Sequence, residues 1–168
     1  LEFAILTAAR SGEVRGATWS EIDLDAATWT IPASRMKAEK EHRVALSAAA
    51  LKLLKALPRI DGSDLLFPSS KNTPLSDMTL TAVLRRMGRS NITAHGFRST
   101  FRDWAGETTA YPREVIEHAL AHQLKDKAEA AYARGTLFEK RRKLMEAWGK
   151  YATTKRTPAS VTPIRAAS

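Results

Sequence analysis

Thr28-Trp29-Thr30-Ile31-Pro32 and His42-Arg43-Val44-Ala45-Leu46-Ser47 are two short runs rich in β-branched and aromatic residues, and the polar, basic stretch Ser34-Arg35-Met36-Lys37-Ala38-Glu39-Lys40-Glu41 lies between them. Two such runs joined in this way read as a hairpin in a small antiparallel sheet. Outward from the hairpin the sequence turns helical. Ser47 is placed to cap a helix from Ala48 to Leu57, and Pro58 stops it. Residues 61–76 are rich in Asp, Gly, Ser, Asn and Pro and read as a loop around Leu65-Leu66-Phe67. Helical segments are expected at about 77–87, 93–108, 112–121 and 126–134, the first three opened by Asp77, Thr93 and Pro112. A last helix is expected over about 137–151, where Leu137, Leu144, Met145, Trp148 and Tyr151 fall at helical spacing. Upstream, Leu1-Glu2-Phe3-Ala4-Ile5-Leu6-Thr7-Ala8-Ala9 reads as the middle of a buried helix, with no cap before it. The expected fold class is mainly α with a small antiparallel β-sheet.

The chain has 168 residues, 43% of them apolar, enough for one domain with its own core. Lys and Arg number 27 against 18 Asp and Glu, a formal charge of +9 that points to polyanions. Residues 1–84 hold 10 basic and 10 acidic side chains and residues 85–168 hold 17 and 8, so the surplus lies in the second half. Four of the nine charges come from Lys150 to Ser168, where there is no acid. Residues 153–168 are expected to form a disordered basic tail. With no cysteine there is no disulfide framework, cysteine nucleophile or thiolate metal site, and a reducing compartment fits. No apolar run approaches the roughly 18 residues of a membrane span, and no signal peptide is visible.

A search for chemistry first removes candidates. Gly12 and Gly16 are too few and wrongly spaced for a phosphate-cradling loop. His118 and His122 have a metal-compatible spacing of four, but Glu-His-Ala-Leu-Ala-His lacks the central Glu of a zincin. No pair of carboxylates has an obvious acid–base role. Cations and one tyrosine remain. His95-Gly96-Phe97-Arg98 opens a helix after Thr93, where backbone N–H groups already favour an anion, although a capped helix end with a solvated Arg reads equally. Arg10 sits at the end of an apolar helix and could pair with Glu13 at the surface. Lys37 could be a solvated loop charge, and His122 a C-terminal helix cap residue. Tyr151 belongs to an apolar stripe and Tyr111 to a turn before Pro112. Tyr132, within Ala130-Ala131-Tyr132-Ala133-Arg134-Gly135, is surrounded by small residues, as a mobile nucleophile would need, or is an ordinary partly buried side chain.

Taken in order, Arg10-Ser-Gly-Glu13, Lys37 between two strands, His95-Gly-Phe-Arg98, Leu120-Ala121-His122 and Tyr132 resemble the catalytic domain of tyrosine recombinases. The run from Ala131 through Arg142 to Trp148 is similar to that of integrases of phages and genomic islands. Ala121 stands where the family commonly has Gly, and Ala45 where a Pro often follows the second strand. The resemblance implies that Arg10 and Arg98 clamp a scissile phosphate with His95. It implies that Lys37 protonates the leaving 5′ oxygen, that His122 hydrogen-bonds the phosphate, and that Tyr132 is the nucleophile. Glu13 matches an acidic residue that orients the site.

The activity so implied is site-specific DNA recombination through a covalent 3′-phosphotyrosine, with no cofactor and no metal. The implied partners are double-stranded DNA attachment sites, bound by a homotetramer whose protomers are monomeric when free. The implied location is cytoplasmic, in a bacterium and associated with the nucleoid. Residues 1–152 would then be a C-terminal catalytic domain lacking its first residues, with N-terminal DNA-binding domains outside this chain. Two other readings compete. One is a noncatalytic basic DNA-binding module, which has no need to retain all six positions together. The other is a type IB topoisomerase-like enzyme, against which the integrase-like run after Tyr132 counts.

Overall fold

The computed structural model describes residues 1–122 and 136–155. Among these, the elements in chain order are α1 (Glu2–Thr7), α2 (Ser11–Arg15), β1 (Ile22–Asp23), β2 (Thr28–Ile31), β3 (His42–Ala45), α3 (Ala48–Ala56), α4 (Thr79–Arg86), α5 (Ala94–Thr108), α6 (Arg113–Ala119) and α7 (Thr136–Thr153). The expected class, mainly helical with a small antiparallel sheet, is the one observed. The sheet gains β1 at its edge, in the order β1-β2-β3.

The register explains which side chains turn inward. Trp29 pairs with Val44 and Ile31 with His42, so these four share one face of the sheet. Trp29, Ile31 and Val44 are buried there with Phe3, Leu6, Val14 and Leu54, which joins α1, α2 and α3 to the sheet. A second apolar cluster joins α5, α6 and α7 through Phe101, Val115, Ile116, Leu120, Leu144, Met145 and Trp148. The apolar stripe of α7 is therefore spent on its own domain. Trp148 reinforces the attachment, because its indole N–H donates to the Ile5 carbonyl at 2.7 Å and its ring stacks on Tyr151 at 5.6 Å.

Two of the expected caps form as read. The Ser47 hydroxyl accepts from the Ala50 N–H at 3.3 Å, and the Thr93 hydroxyl from the Gly96 N–H at 3.0 Å. Two expectations need correction. Asp77 does not open α4, whose N-cap is Met78 without a side-chain bond. The first apolar run is not one helix to residue 9, because Ala8 adopts φ 50° and ends α1 in the left-handed conformation. Arg10 then becomes the N-cap of α2 rather than the end of the first helix. The expected helix at 126–134 and most of the basic tail lie outside the described residues. Among the described residues, no helix is long and apolar enough to cross a membrane.

Candidate functional site

The start of α2, the β2–β3 connection, α5 and the end of α6 carry the predicted cations. Arg98 lies in the second turn of α5 and is buried. Among the described residues its guanidinium has no carboxylate partner in direct contact and is held by backbone: Nη1 donates to the Ala8 carbonyl at 2.7 Å and Nη2 to the Leu120 carbonyl. Both acceptors are at helix C-terminal ends, that of α1 and that of α6, where free carbonyls carry the negative end of the helix dipole. The residue that follows Leu120, Ala121, also has φ 50°, so left-handed alanines lie at both helix ends that face Arg98. Burial lowers the Arg98 pKa to about 10, with the neighbouring Arg10 charge acting in the same direction and Glu13 and Glu117 opposing it. The guanidinium is still charged at neutral pH.

Arg10 is fixed from the other side. Glu13, itself buried, accepts from the Arg10 backbone N–H at 2.8 Å and from its Nη1 at 2.7 Å, closing the first turn of α2 around the side chain. The surface reading of Arg10 is thus half right: it does pair with Glu13, but that carboxylate is buried and the pair sits beside Arg98. The Glu13 backbone carbonyl is in turn held by Arg35 from the β2–β3 connection, which also carries Lys37.

Arg10, Lys37, Ala38, Ala121 and His122 line one open cleft of about 370 Å³. Three elements far apart in sequence therefore converge: the start of α2, the hairpin loop and the end of α6. Lys37 is exposed. His95 is exposed one helical turn before Arg98 on α5, at the i, i+3 spacing that shares a helix face. Tyr132 lies outside the described residues.

Sequence reasoning overlooked three side chains. His42 reads from sequence only as a strand residue, yet the register turns it inward, where it lies near Glu13, Arg98 and Arg141 and bonds the Ala119 carbonyl. Burial pulls its pKa down to about 4, helped by the Arg141 and Arg98 charges. Glu117 and Arg102 were also overlooked. Glu117 is buried and accepts from the His122 Nδ1 side and from Arg102 Nε at 2.8 Å. Burial raises the Glu117 carboxyl, but the bonds from His122 and Arg102 outweigh it and hold the carboxyl below its ordinary value. The sequence signal is the Glu five residues before His122, close enough along a helix end to reach the ring.

A mostly helical domain with a small three-stranded antiparallel sheet is the fold of tyrosine recombinase catalytic domains, and solved structures show the likeness. The XerA recombinase superposes with a TM-score of 0.60 at 18% identity, over 85% of this chain and 49% of that one. The lambda integrase catalytic core superposes with a TM-score of 0.53 at 22% identity, over 75% of this chain and 79% of that one. Residues 1–136 match the phage integrase family, and the chain belongs to it. Among its relatives, the prophage integrase IntA of Escherichia coli K12 is 39% identical over 148 residues, 86% of this chain. The integrase of Enterobacteria phage P4 is 34% identical over 170 residues, 90% of this chain. The chain spans 36% and 39% of the lengths of those two proteins.

Proposed function

We propose that this chain carries the strand-cutting and rejoining centre of a site-specific DNA recombinase acting through a covalent 3′-phosphotyrosine. The observation that carries the reading is the convergence of Arg10, Lys37 and His122 on one cleft, with the buried Arg98 beside Arg10. A phosphodiester under attack builds charge on its nonbridging oxygens, and two planar guanidiniums, charged at neutral pH, suit that charge. Arg98 suits the task, since backbone carbonyls hold it and, among the described residues, no carboxylate pairs directly with its charge.

In the proposed reaction the Tyr132 phenolic oxygen attacks phosphorus and the bond to the 5′ oxygen breaks. The 5′ oxygen takes a proton from Lys37 and leaves as a hydroxyl. A free phenol with a pKa of about 10 is a poor nucleophile, so the surrounding cations and a histidine acceptor ease its proton loss. His95 and His122 contribute hydrogen bonds to the phosphate, and Glu13 orients Arg10. The phosphotyrosine ester retains the energy of the cut bond, so a 5′-hydroxyl from another duplex reverses the step and releases tyrosine without a nucleotide cofactor. Attachment-site duplexes and a tetrameric assembly follow for this chain from the same reading. Lambda integrase, a structural neighbour, was solved as a tetramer bound to a Holliday junction.

The test uses duplex DNA with a randomised core and 5′-bridging phosphorothiolates, which trap the cut state without requiring a known site. The expected result is a protein–DNA complex that survives denaturing electrophoresis and is absent with Tyr132→Phe. A complex retained in that variant overturns the assignment. Binding of duplex without any covalent complex would make the chain a noncatalytic binding module.

A further inference from the structure

The buried carboxylate behind His122 belongs to no role assigned so far. We propose that Glu117 is a positioning residue, which holds the His122 imidazole in one tautomer and one orientation so that Nε2 is the ring nitrogen presented to the cleft. The inference rests on the reading of His122 as a phosphate ligand and adds to it how that ligand is set.

Glu117 lies in the last turns of α6, and His122 follows just beyond the helix end, past the left-handed Ala121. That turn brings the ring back onto the helix it has left, with the His122 backbone N–H donating to the Glu117 carbonyl at 2.9 Å and Nδ1 against Glu117 Oε2. An ionised carboxylate only accepts, so Nδ1 must carry the proton. Nε2 then has a free lone pair in the neutral ring and an N–H in the protonated one, and either form suits an exchange of protons at a phosphate or a phenol. The other carboxylate oxygen is occupied as well. Oε1 accepts from Arg102 Nε at 2.8 Å and is in ion-pair contact with Arg102 Nη2 at 2.8 Å and Arg113 Nε at 4.0 Å. Both oxygens being engaged, the carboxylate cannot rotate to release the ring without breaking a charged bond. Arg102 sits one turn beyond Arg98 on α5, so the same carboxylate ties the helix of the His-x-x-Arg pair to the end of α6. A histidine oriented by a carboxylate on its far nitrogen is a recurrent arrangement wherever the near nitrogen must face a reacting group.

Two readouts separate this proposal from the broader function. In the ¹⁵N-labelled full chain, long-range ¹H–¹⁵N correlations of the His122 ring should show the Nδ1–H form in the wild type and loss of that preference in Glu117→Ala. A wild-type ring protonated on Nε2 alone, or a pattern unchanged by the substitution, overturns the proposal. Single-turnover cleavage of the phosphorothiolate duplex is the second readout. Glu117→Gln should cleave 10- to 100-fold more slowly with DNA affinity within threefold. In a His122→Ala background the same substitution should cause no further loss, because its effect passes through the ring. Full additivity in that background overturns the proposal. Should Glu117→Gln fail to fold, Glu117→Asp draws the carboxylate back from the ring and should show the same dependence on His122. Arg102→Leu, which cuts only the tie to α5, should slow cleavage less than Glu117→Gln; an equal loss means that Glu117 is a structural staple. If the wild-type chain cuts no DNA, the recombinase reading fails and the tautomer result alone decides the position of the ring.

Discussion

His42 offers a quantitative test of how the sheet is built into the site. Its ring is turned inward by the pairing of Ile31 with His42, where it lies close to Glu13, Arg98 and Arg141 and bonds the Ala119 backbone. Burial and the two arginine charges hold its pKa at about 4, against 6.5 for a free histidine. The unfolded chain therefore binds the proton more readily than the folded one, and the folded state loses stability as the pH falls from 6.5 toward 4. A displacement of this size is worth about 3 kcal/mol in full, of which about 2 kcal/mol is lost between pH 7 and pH 5. In a domain of this length that corresponds to roughly 4–8 °C in Tm. His42→Gln keeps a donor for the Ala119 carbonyl and removes the titration. Urea unfolding followed by tryptophan fluorescence at pH 7 and pH 5 should show the wild type losing about 2 kcal/mol more than the variant. Buried carboxylates titrate in both proteins and cancel in the comparison. Equal losses, within about 0.5 kcal/mol, would refute the inward placement of the neutral ring.

The two arginines should separate in stability although both should slow cleavage. Arg98→Ala leaves the Ala8 and Leu120 carbonyls without their donor and should cost about 2–5 kcal/mol in urea unfolding, whereas Arg10→Ala, which removes a part-exposed ion pair with Glu13, should cost about 1 kcal/mol. Equal costs would mean that Arg98 is not held by backbone. Gly149→Ala should destabilise by about 1–3 kcal/mol in thermal unfolding, because a Cβ there would stand 2.5 Å from Ser47 Oγ and 2.8 Å from Ser47 Cβ, where α7 crosses the cap of α3. Ala121→Gly should raise stability by about 0.5–1 kcal/mol, since a left-handed φ of 50° costs alanine more than the added freedom of glycine in the unfolded chain; an unchanged urea midpoint would contradict it.

What could be read from sequence was what depends on near neighbours. The Ser47 and Thr93 caps, the hairpin pair and the apolar stripe of α7 are local patterns, and each is present. The break after Thr7 was missed because alanine, not glycine, takes the left-handed position, and nothing in its chemistry announces it. His42 was missed because its face depends on strand register, which no single strand reveals. The partners of Arg98 were out of reach for a different reason. They are main-chain carbonyls of residues 8 and 120, chosen by where two helices end rather than by any side chain. Arg10, Lys37 and His122 carried weak signals singly, and only their order along the chain joined them before the cleft did. Net charge contributed least, since Arg10 and Lys37 lie in the half with no excess.

The central claim is that the cations of this cleft serve an attack by Tyr132. The chain has 3 tyrosines, Tyr111, Tyr132 and Tyr151, and the last is stacked against Trp148. Protease digestion and mass spectrometry of the trapped protein–DNA complex should therefore place the residual nucleotide on the tryptic peptide 128–134, at Tyr132. A nucleotide on Tyr111, on Tyr151 or on a serine would contradict the account.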